Sequence, residues 1–280
     1  MKIVSLVGAG GKMGTRILKN LSRHSMKIHC IEVSSAGIAN IKSLGFNVSQ
    51  PDTALPESDL VILAVPDRAI HQIIDDVVKS MKPGALLILL DPAAAYLGQL
   101  PESSDVGYFV VHPCHPSVFN FEDSSEDRRD LFGGDRARQA IVCALVQGTE
   151  EDYRLGEAVA ESMFAPVCRT HRISLDQMAM LEPVMAETLA GTMITLLREA
   201  MDQAVANGVP YPAARDFMLG HINVELGIVF GEAPNPFSDA ALIAIDYGKD
   251  HVLQDGWQKL FAPDRIREQI STMLSAGTSN

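Results

Sequence analysis

The chain enters its first helical pattern, residues 12–25, through the loop Gly8-Ala9-Gly10-Gly11-Lys12-Met13-Gly14, which follows an apolar run over residues 3–7. Glycines at a turn from strand to helix let the backbone approach a pyrophosphate, and the helix N-terminus supplies oriented N–H groups. The spacing departs by one residue from the strict G-x-G-x-x-G pattern, because the last glycine follows Met13. The seven residues of this loop are therefore predicted to bind a dinucleotide.

One acidic residue, Glu32, lies near the end of the second apolar run, which predicts a strand over residues 27–33. An acid at this place in a dinucleotide-binding fold accepts the ribose hydroxyls and repels a 2′-phosphate. Residues 33–35 are Val-Ser-Ser and bring no arginine that would bind that phosphate. The sequence thus favours NAD over NADP. Pro66 and Asp67 close a later strand, residues 59–65, at the position expected beside the nicotinamide-side ribose.

Short apolar runs alternate with helical patterns in the first part of the chain, which is typical of parallel sheets with helical crossovers. The predicted fold class is α/β, a Rossmann-type doubly wound parallel sheet followed by an all-helical C-terminal domain. The predicted domains are a dinucleotide-binding Rossmann domain over residues 1–168 and a helical substrate and dimerisation domain over residues 169–280. Strands are expected over residues 2–8, 27–33, 59–65, 84–90, 107–112 and 141–147, with the last of these ending the sheet.

A long helix is predicted to start the second domain, because residues 174–207 lack strand-like alternation and are rich in Ala, Met, Leu and Glu. Ser174 and Gln177 have the spacing of a capping box, and Asn207-Gly208 is predicted to end the helix. Pro183 removes a backbone donor and should bend this helix.

Two histidines between prolines follow the strand predicted over residues 107–112, in the segment His112-Pro113-Cys114-His115-Pro116. In an open parallel sheet, the carboxyl ends of the strands carry the site. Imidazoles act as general bases or, together with a carboxylate, as ligands of a divalent metal. His112 and His115 are therefore candidate catalytic residues, and His112 is a candidate ligand of Zn, Mn or Mg.

Candidate carboxylates lie in the apolar part of the long helix, on both sides of Pro183. A carboxylate among apolar residues is costly to bury unless it is paired or bound to a metal. Glu182 is the preferred metal ligand and catalytic partner of His112. Glu187 is the alternative ligand. The other interpretation of Glu182 and Glu187 is that they lie on a solvated helix face and bind no metal.

The composition limits the classes of function. The net charge is −12 and the pI is about 5.1, which argues against a nucleic-acid-binding protein. Four widely spaced cysteines indicate a reducing cytoplasm rather than a disulfide framework. No uninterrupted apolar run is long enough to predict a membrane span. The Met- and Ala-rich helical half predicts a homodimer.

The layout resembles the 6-phosphogluconate and 3-hydroxyacid dehydrogenase superfamily in its glycine loop, in the strand that ends at Pro66 and in its helical second half. This resemblance implies hydride transfer with a nicotinamide cofactor. Members of the superfamily mostly use a lysine on the first long helix of the second domain, but no lysine occurs here between Lys82 and Lys249. The segment His112–Pro116 resembles the D-apionate oxidoisomerase family, which implies that NAD oxidises a branched sugar acid and that its skeleton is isomerised.

The hypothesis is that His112 and Glu182 hold a metal beside the nicotinamide and that His115 or His112 takes the proton from the sugar acid. One alternative is a metal-free dehydrogenase, either a 3-hydroxyacid dehydrogenase or one in which His112 is the base, because His112-Pro113 resembles a segment of prephenate dehydrogenases. A second alternative is a non-catalytic NAD-binding module, which leaves the histidine cluster unexplained.

Overall fold

The computed structural model describes residues 1–120 and 122–275, which form two compact units. The first unit comprises Met1–Met180 and the described chain from Arg267 onward, and the second comprises Leu181–Ile266. The sequence-predicted boundary at residue 169 lies earlier than this division. The difference arises because residues 167–172 form a strand of the sheet, and because the C-terminal helix returns to the first unit.

Seven strands form one sheet in the order β2-β1-β3-β4-β5-β6-β7. The strands β1 to β5 run parallel to one another, as the sequence predicts. These five strands therefore end at one edge, which we call the carboxyl edge. The strands are β1 (Lys2–Val7), β2 (Met26–Ile31), β3 (Leu60–Leu63), β4 (Leu86–Leu89), β5 (Gly107–Pro113), β6 (Gln139–Gln147) and β7 (Val167–Arg172).

The order in which the chain adds strands reverses at β1, because β2 lies on one side of β1 and β3 on the other. An isolated parallel bridge from Val48 to Cys30 extends the sheet beyond β2. Open α/β sheets bind their ligands at the carboxyl edge beside such a reversal, because the crossover helices diverge there. The glycine loop leaves β1 at this point.

Strand β6 differs from the prediction of an all-parallel sheet, because it runs antiparallel to β5. The described part of the loop over residues 114–138 contains a 3₁₀ turn, Asp127–Arg129, and no α-helix. A parallel neighbour requires a crossover back to the starting edge, which is usually a helix. Without that helix, the chain returns directly along β5.

The prediction that residues 141–147 end the sheet is wrong, because β7 pairs in parallel with β6. Strand β7 is the outermost strand, and none of its residues is fully buried. An edge strand of this kind, with the sequence VCRTHR, lacks the continuous apolar run by which the inner strands are predicted.

Helices cover the first unit and make up most of the second. The first unit buries the largest apolar side chains against the parallel strands, with Phe109 of β5 among them. The helices are α1 (Lys12–Leu21), α2 (Ser35–Ser43), α3 (Pro51–Ala54), α4 (Asp67–Ser80), α5 (Ala93–Tyr96), α6 (Glu150–Met163), α7 (Leu175–Ala179), α8 (Thr192–Ala206), α9 (Tyr211–Val229), α10 (Asp239–Val252) and α11 (Pro263–Ser275).

Helices α7 and α8 are the two ends of one long helix, Leu175–Ala206. Its start confirms the predicted capping box, because Ser174 and Gln177 each accept a backbone N–H of the other with their side chains. It ends at Asn207, also as predicted. Pro183 lies in a π-helical stretch, Met180–Gly191, where the wider turn accommodates a residue that cannot donate an α-helical hydrogen bond.

By length and mean hydropathy alone, the long helix is sufficient to cross a membrane, and 11% of its most apolar window is buried within the chain. One such helix is weak evidence for a span. The helix also contains charged side chains, including Arg198, Glu199 and Asp202. An apolar helix face exposed in a single chain equally indicates contact with another protein surface.

Candidate active site

The glycine loop packs too tightly for side chains at its key positions. Gly8 adopts a φ of 78°, and a Cβ there would lie 2.4 Å from the carbonyl oxygen of Ala64 in the chain after β3. A Cβ on Gly14 would lie 2.1 Å from the carbonyl oxygen of Gly8. Because only glycine fits, the backbone N–H groups at the start of α1 remain accessible.

The N-terminus of α1 suits an anion. Its N-cap is Gly11, which offers no side-chain acceptor, and its first turn contains no acidic residue. The first N–H groups of the helix therefore point towards the loop without a protein cap, as phosphate-binding helices do. Lys12 is exposed at this end, whereas the side chains of Ala9 and Met13 pack in the core.

Glu32 directly follows β2 and binds the glycine loop. One carboxylate oxygen accepts the N–H of Gly10 at 3.1 Å, and the other accepts the N–H groups of Val33 and Ser34 at 2.9 Å each. Burial opposes ionisation of this carboxyl, but these backbone hydrogen bonds outweigh burial and lower its pKa. Glu32 is therefore a fixed negative charge at the end of β2, where a 2′-phosphate would be repelled.

Pro66 and Asp67 follow β3 after two intervening residues, because the strand ends at Leu63 and not at the predicted residue 65. Pro66 is the N-cap of α4, and Asp67 is the first residue of that helix. Both residues are exposed at the carboxyl edge. They follow the strand next to β1 and are thus beside the glycine loop.

His112 is the second-last residue of β5 and is partly buried. Its Nδ1 donates a hydrogen bond of 2.9 Å to the carbonyl oxygen of Pro113, because a carbonyl oxygen can only accept. Burial lowers the pKa of His112 to about 4, so the ring is neutral at neutral pH. The Nε2 of a neutral ring whose Nδ1 carries the proton has a lone pair for a metal or a proton.

His115 has a backbone φ of 60°, a left-handed conformation that is rare outside glycine. Its Nδ1 donates a hydrogen bond of 2.8 Å to the carbonyl oxygen of Phe132. The His115 ring meets the rings of His112 and Phe132 edge-on, at centroid distances of 6.1 and 6.0 Å. Unusual backbone conformations of this kind cluster at functional sites.

Three possible metal ligands converge where β4 and β5 end. One ligand atom each of Asp91, His112 and Glu182 lies within 4.8 Å of the others. Asp91 follows β4, the parallel neighbour of β5, and also accepts the N–H of Ala93 at 2.7 Å. Glu182 lies in the long helix one turn after α7, and 9% of its surface is exposed.

The structure distinguishes among the candidate residues of the site. It brings His112 and Glu182 together, and it places His115 beside His112 but outside the ligand group. Glu187 is exposed and is not in that group. Asp91 was missed by sequence reasoning. Its position directly after the apolar run over residues 84–90, on the strand next to His112, is the signal that would have indicated it.

The fold and the site define the class of protein. A doubly wound sheet, a glycine loop before an uncapped helix and a fixed acid after β2 are the features of an NAD-dependent oxidoreductase. Residues 1–90 match the family model described as D-isomer specific 2-hydroxyacid dehydrogenase, NAD binding domain. Residues 120–274 match the family model described as phosphogluconate dehydrogenase (decarboxylating) C-term.

The chain belongs to the D-apionate oxidoisomerase family. It is 46% identical to the D-apionate oxidoisomerase of Cupriavidus necator over 95% of this chain and 97% of the relative. It is 45% identical to that of Rhizobium rhizogenes over 96% of this chain and 98% of the relative. The sequence-predicted resemblance is thereby confirmed.

A solved structure has the same fold over nearly the whole chain. It is described as a semialdehyde dehydrogenase NAD-binding protein from Cupriavidus necator in complex with calcium and NAD. It superimposes with a TM-score of 0.95 at 46% identity, over 97% of this chain and 99% of that one. An NADH-preferring ketol-acid reductoisomerase, at 16% identity and a TM-score of 0.72, shares the fold alone.

Proposed function

We propose that this chain oxidises D-apionate, a branched sugar acid, with NAD and isomerises its carbon skeleton at the carboxyl edge. The proposal depends on one observation, the convergence of Asp91, His112 and Glu182. Its substrate is taken from the names of the two relatives. The neutral imidazole and the two carboxylates are the groups that such a reaction needs.

We infer that these three residues hold a divalent cation. Two carboxylates whose oxygens lie within 4.8 Å repel each other unless a cation or a proton lies between them. Carboxylate oxygens suit Mg or Mn, and an imidazole nitrogen extends the choice to Zn. The hydrogen bond from His112 to Pro113 supports this role, because metal-binding histidines usually donate their other N–H to a carbonyl or carboxylate.

When bound, a divalent cation acts as a Lewis acid that lowers the pKa of a hydroxyl group. The side chains of Asp91, His112 and Glu182 orient the sugar acid against the nicotinamide. His115 is then the available general base, because a cation would occupy Nε2 of His112, whereas Nε2 of His115 can accept a proton while its Nδ1–H is held by Phe132. His115 takes the proton of the hydroxyl group while the hydride passes to NAD. Asp91, His112 and Glu182 would hold a cation that would stabilise the charge developing on oxygen during a 1,2-shift of the skeleton.

Exhaustive treatment with EDTA is expected to abolish NADH formation from D-apionate, and added Mg, Mn or Zn should restore it. The physical reason is that the two carboxylates lose the positive charge that organises them. NADH absorbance measures the rate, and NAD binding in the treated protein serves as the control. Full activity after chelation would instead support the metal-free dehydrogenase with His112 as the base. No NADH from D-apionate with any of these metals would contradict the proposed substrate.

We propose that the chain is a homodimer formed through its helical half. Apolar side chains on α9 and α10 are widely exposed, including Phe217 at 69%, Ile243 at 72% and Tyr247 at 65%. Soluble proteins rarely leave so many large apolar groups in water unless a partner covers them. A second copy is the partner proposed because the same chain presents a matching apolar long helix.

Replacing Ile243 with glutamate is expected to convert a dimer to a monomer, since a buried unpaired charge costs several kcal/mol, about 3 or more. Sedimentation velocity measures the mass of the particle. Val118→Glu is the control, because Val118 is 76% exposed in the first unit and should leave the dimer intact. A wild-type chain that sediments as a monomer would contradict the proposed dimer.

We also propose a cytoplasmic location without nucleic-acid or membrane partners. All four cysteines are free thiols, and Cys114 and Cys168 are exposed. Exposed thiols persist in a reducing compartment.

A further inference from the structure

Three consecutive residues of the loop before β6 join the NAD-binding helix to a histidine of the site. The guanidinium of Arg16, in α1, lies 5.0 Å from the centre of the Phe132 ring. The side chain of Asn20, also in α1, donates a hydrogen bond of 2.9 Å to the carbonyl oxygen of Gly134. The carbonyl oxygen of Phe132 accepts the Nδ1–H of His115 at 2.8 Å.

We propose that residues 132–134 form a strap that transmits the position of α1 to His115, with Phe132 as a positioning residue for the reaction. The inference rests on the proposed function in one respect, the role of His115 as the base. Neither the sequence pattern nor the relatives' names assign a role to Phe132. The strap links the element that binds NAD to the group that removes the proton.

The strap has a defined backbone. Gly133 and Gly134 adopt positive φ values of 70° and 77°, which other residues rarely adopt. The carboxylate of Asp130 accepts the N–H groups of Gly133, Arg136 and Ala137 at 2.9 to 3.1 Å. Asn20 is 2% exposed, and its amide also donates to the carbonyl oxygens of Met163 and Ala165. The carbonyl oxygen of Phe132 is therefore held between anchored residues.

The acceptor at Phe132 matters because His115 adopts a strained backbone. A left-handed conformation costs a non-glycine residue about 1 kcal/mol or more, and surrounding contacts must compensate. The hydrogen bond to Phe132 and the edge-on ring contact are two such contacts. Loss of the ring would loosen the strap and let His115 leave the geometry from which it removes a proton.

Phe132 is 62% exposed. A side chain that is mostly in water contributes little to the core, so its replacement should not unfold the protein. Its position between the guanidinium of Arg16 and the ring of His115 is the structural reason to expect an effect on the reaction. Replacing Phe132 should therefore change turnover without changing the stability of the protein, and the two can be measured separately.

Phe132→Leu is expected to lower kcat about ten-fold, the cost of a misplaced reacting group, while KM for NAD and the Tm remain unchanged. Leu131→Ala is the matched control, since Leu131 is the neighbouring residue, 73% exposed, and should leave kcat unchanged. An unchanged kcat for Phe132→Leu would overturn the proposal. A fall in kcat accompanied by a fall in Tm would also overturn it, because the role would then be structural.

A double-mutant cycle separates this inference from the proposed function. His115→Gln alone tests the base, and unchanged turnover in this variant would contradict the proposed role of His115. If Phe132 acts through His115, adding Phe132→Leu to His115→Gln should cause no further loss, whereas an additional ten-fold loss would overturn the strap. If His115→Gln leaves no measurable turnover, Phe132→Leu is combined with Arg16→Met instead. The double variant Phe132→Leu/Arg16→Met should be no slower than Phe132→Leu alone. A double variant whose loss is the product of the two single losses would overturn the proposal.

Discussion

Replacing Glu182 with glutamine is expected to lower NADH formation more than about 100-fold, since even the outer-shell partners of metal ligands are worth 10- to 100-fold. The amide has nearly the same shape as the carboxylate but carries no charge, so the ligand set of Asp91, His112 and Glu182 loses half of its negative charge. NAD binding should remain intact because the glycine loop joins β1 to α1, whereas the ligand set lies at the ends of β4 and β5 and in the long helix. Metal binding measured by calorimetry and turnover measured by NADH absorbance should fall together.

Two further variants of the long helix make this result specific. Glu199→Gln is the matched control, because Glu199 is exposed on α8, far along the helix from Glu182. It should leave both turnover and metal binding unchanged. Glu187→Gln tests the alternative carboxylate. A large loss at Glu187 with normal turnover at Glu182 would contradict the proposed ligand set.

Replacing Gly10 with alanine is expected to weaken NAD binding strongly. A Cβ at this position would lie 2.3 Å from the Cα and the carbonyl oxygen of Gly37, which are backbone atoms of α2 and cannot turn away. The loop must therefore shift and lose the hydrogen bond of 3.1 Å from Gly10 to Glu32. Fluorescence titration with NADH measures the affinity, and we expect a loss of at least about 100-fold, equal to roughly 2.7 kcal/mol.

Gly11→Ala is the matched control in the same loop. A Cβ at Gly11 would lie 3.4 Å from its nearest neighbour, the carbonyl oxygen of Gly8, which is ordinary van der Waals contact. NADH affinity should therefore change little. Equal losses at Gly10 and Gly11 would show that the loop tolerates no side chain at all, and would contradict the explanation from the contact with Gly37.

The elements that were predictable from the sequence have local signals. The glycine loop, the inner strands, the capping box at Ser174 and the end of the long helix at Asn207 each depend on residues that are close in the chain. Strand β7 lacked such a signal because it is an edge strand with exposed side chains. The antiparallel direction of β6 depends on the fold as a whole, and no single residue in the sequence indicates it.

The candidate site was predictable only in part for a similar reason. His112 and Glu182 are unusual residues in their local sequence, whereas Asp91 is an ordinary acid after a strand. Asp91 becomes a candidate ligand only because the neighbouring strand β5 places His112 beside it. The two histidines also look equivalent in the sequence. The positions of Asp91 and Glu182 around His112, which the fold determines, separate the candidate ligand from its neighbour His115.

The interlocked contact of Glu32, Gly10 and Gly37 has a consequence for evolution of coenzyme use. The Glu32 side chain fills the space where Gly37 would carry a Cβ, and one of its oxygens accepts the N–H of Gly10 in the glycine loop. A mutation that removes this acid to admit a 2′-phosphate also removes the acceptor of the Gly10 N–H and leaves a gap beside Gly37. A switch of coenzyme in this lineage would therefore have to rebuild the backbone first and reverse the charge afterwards.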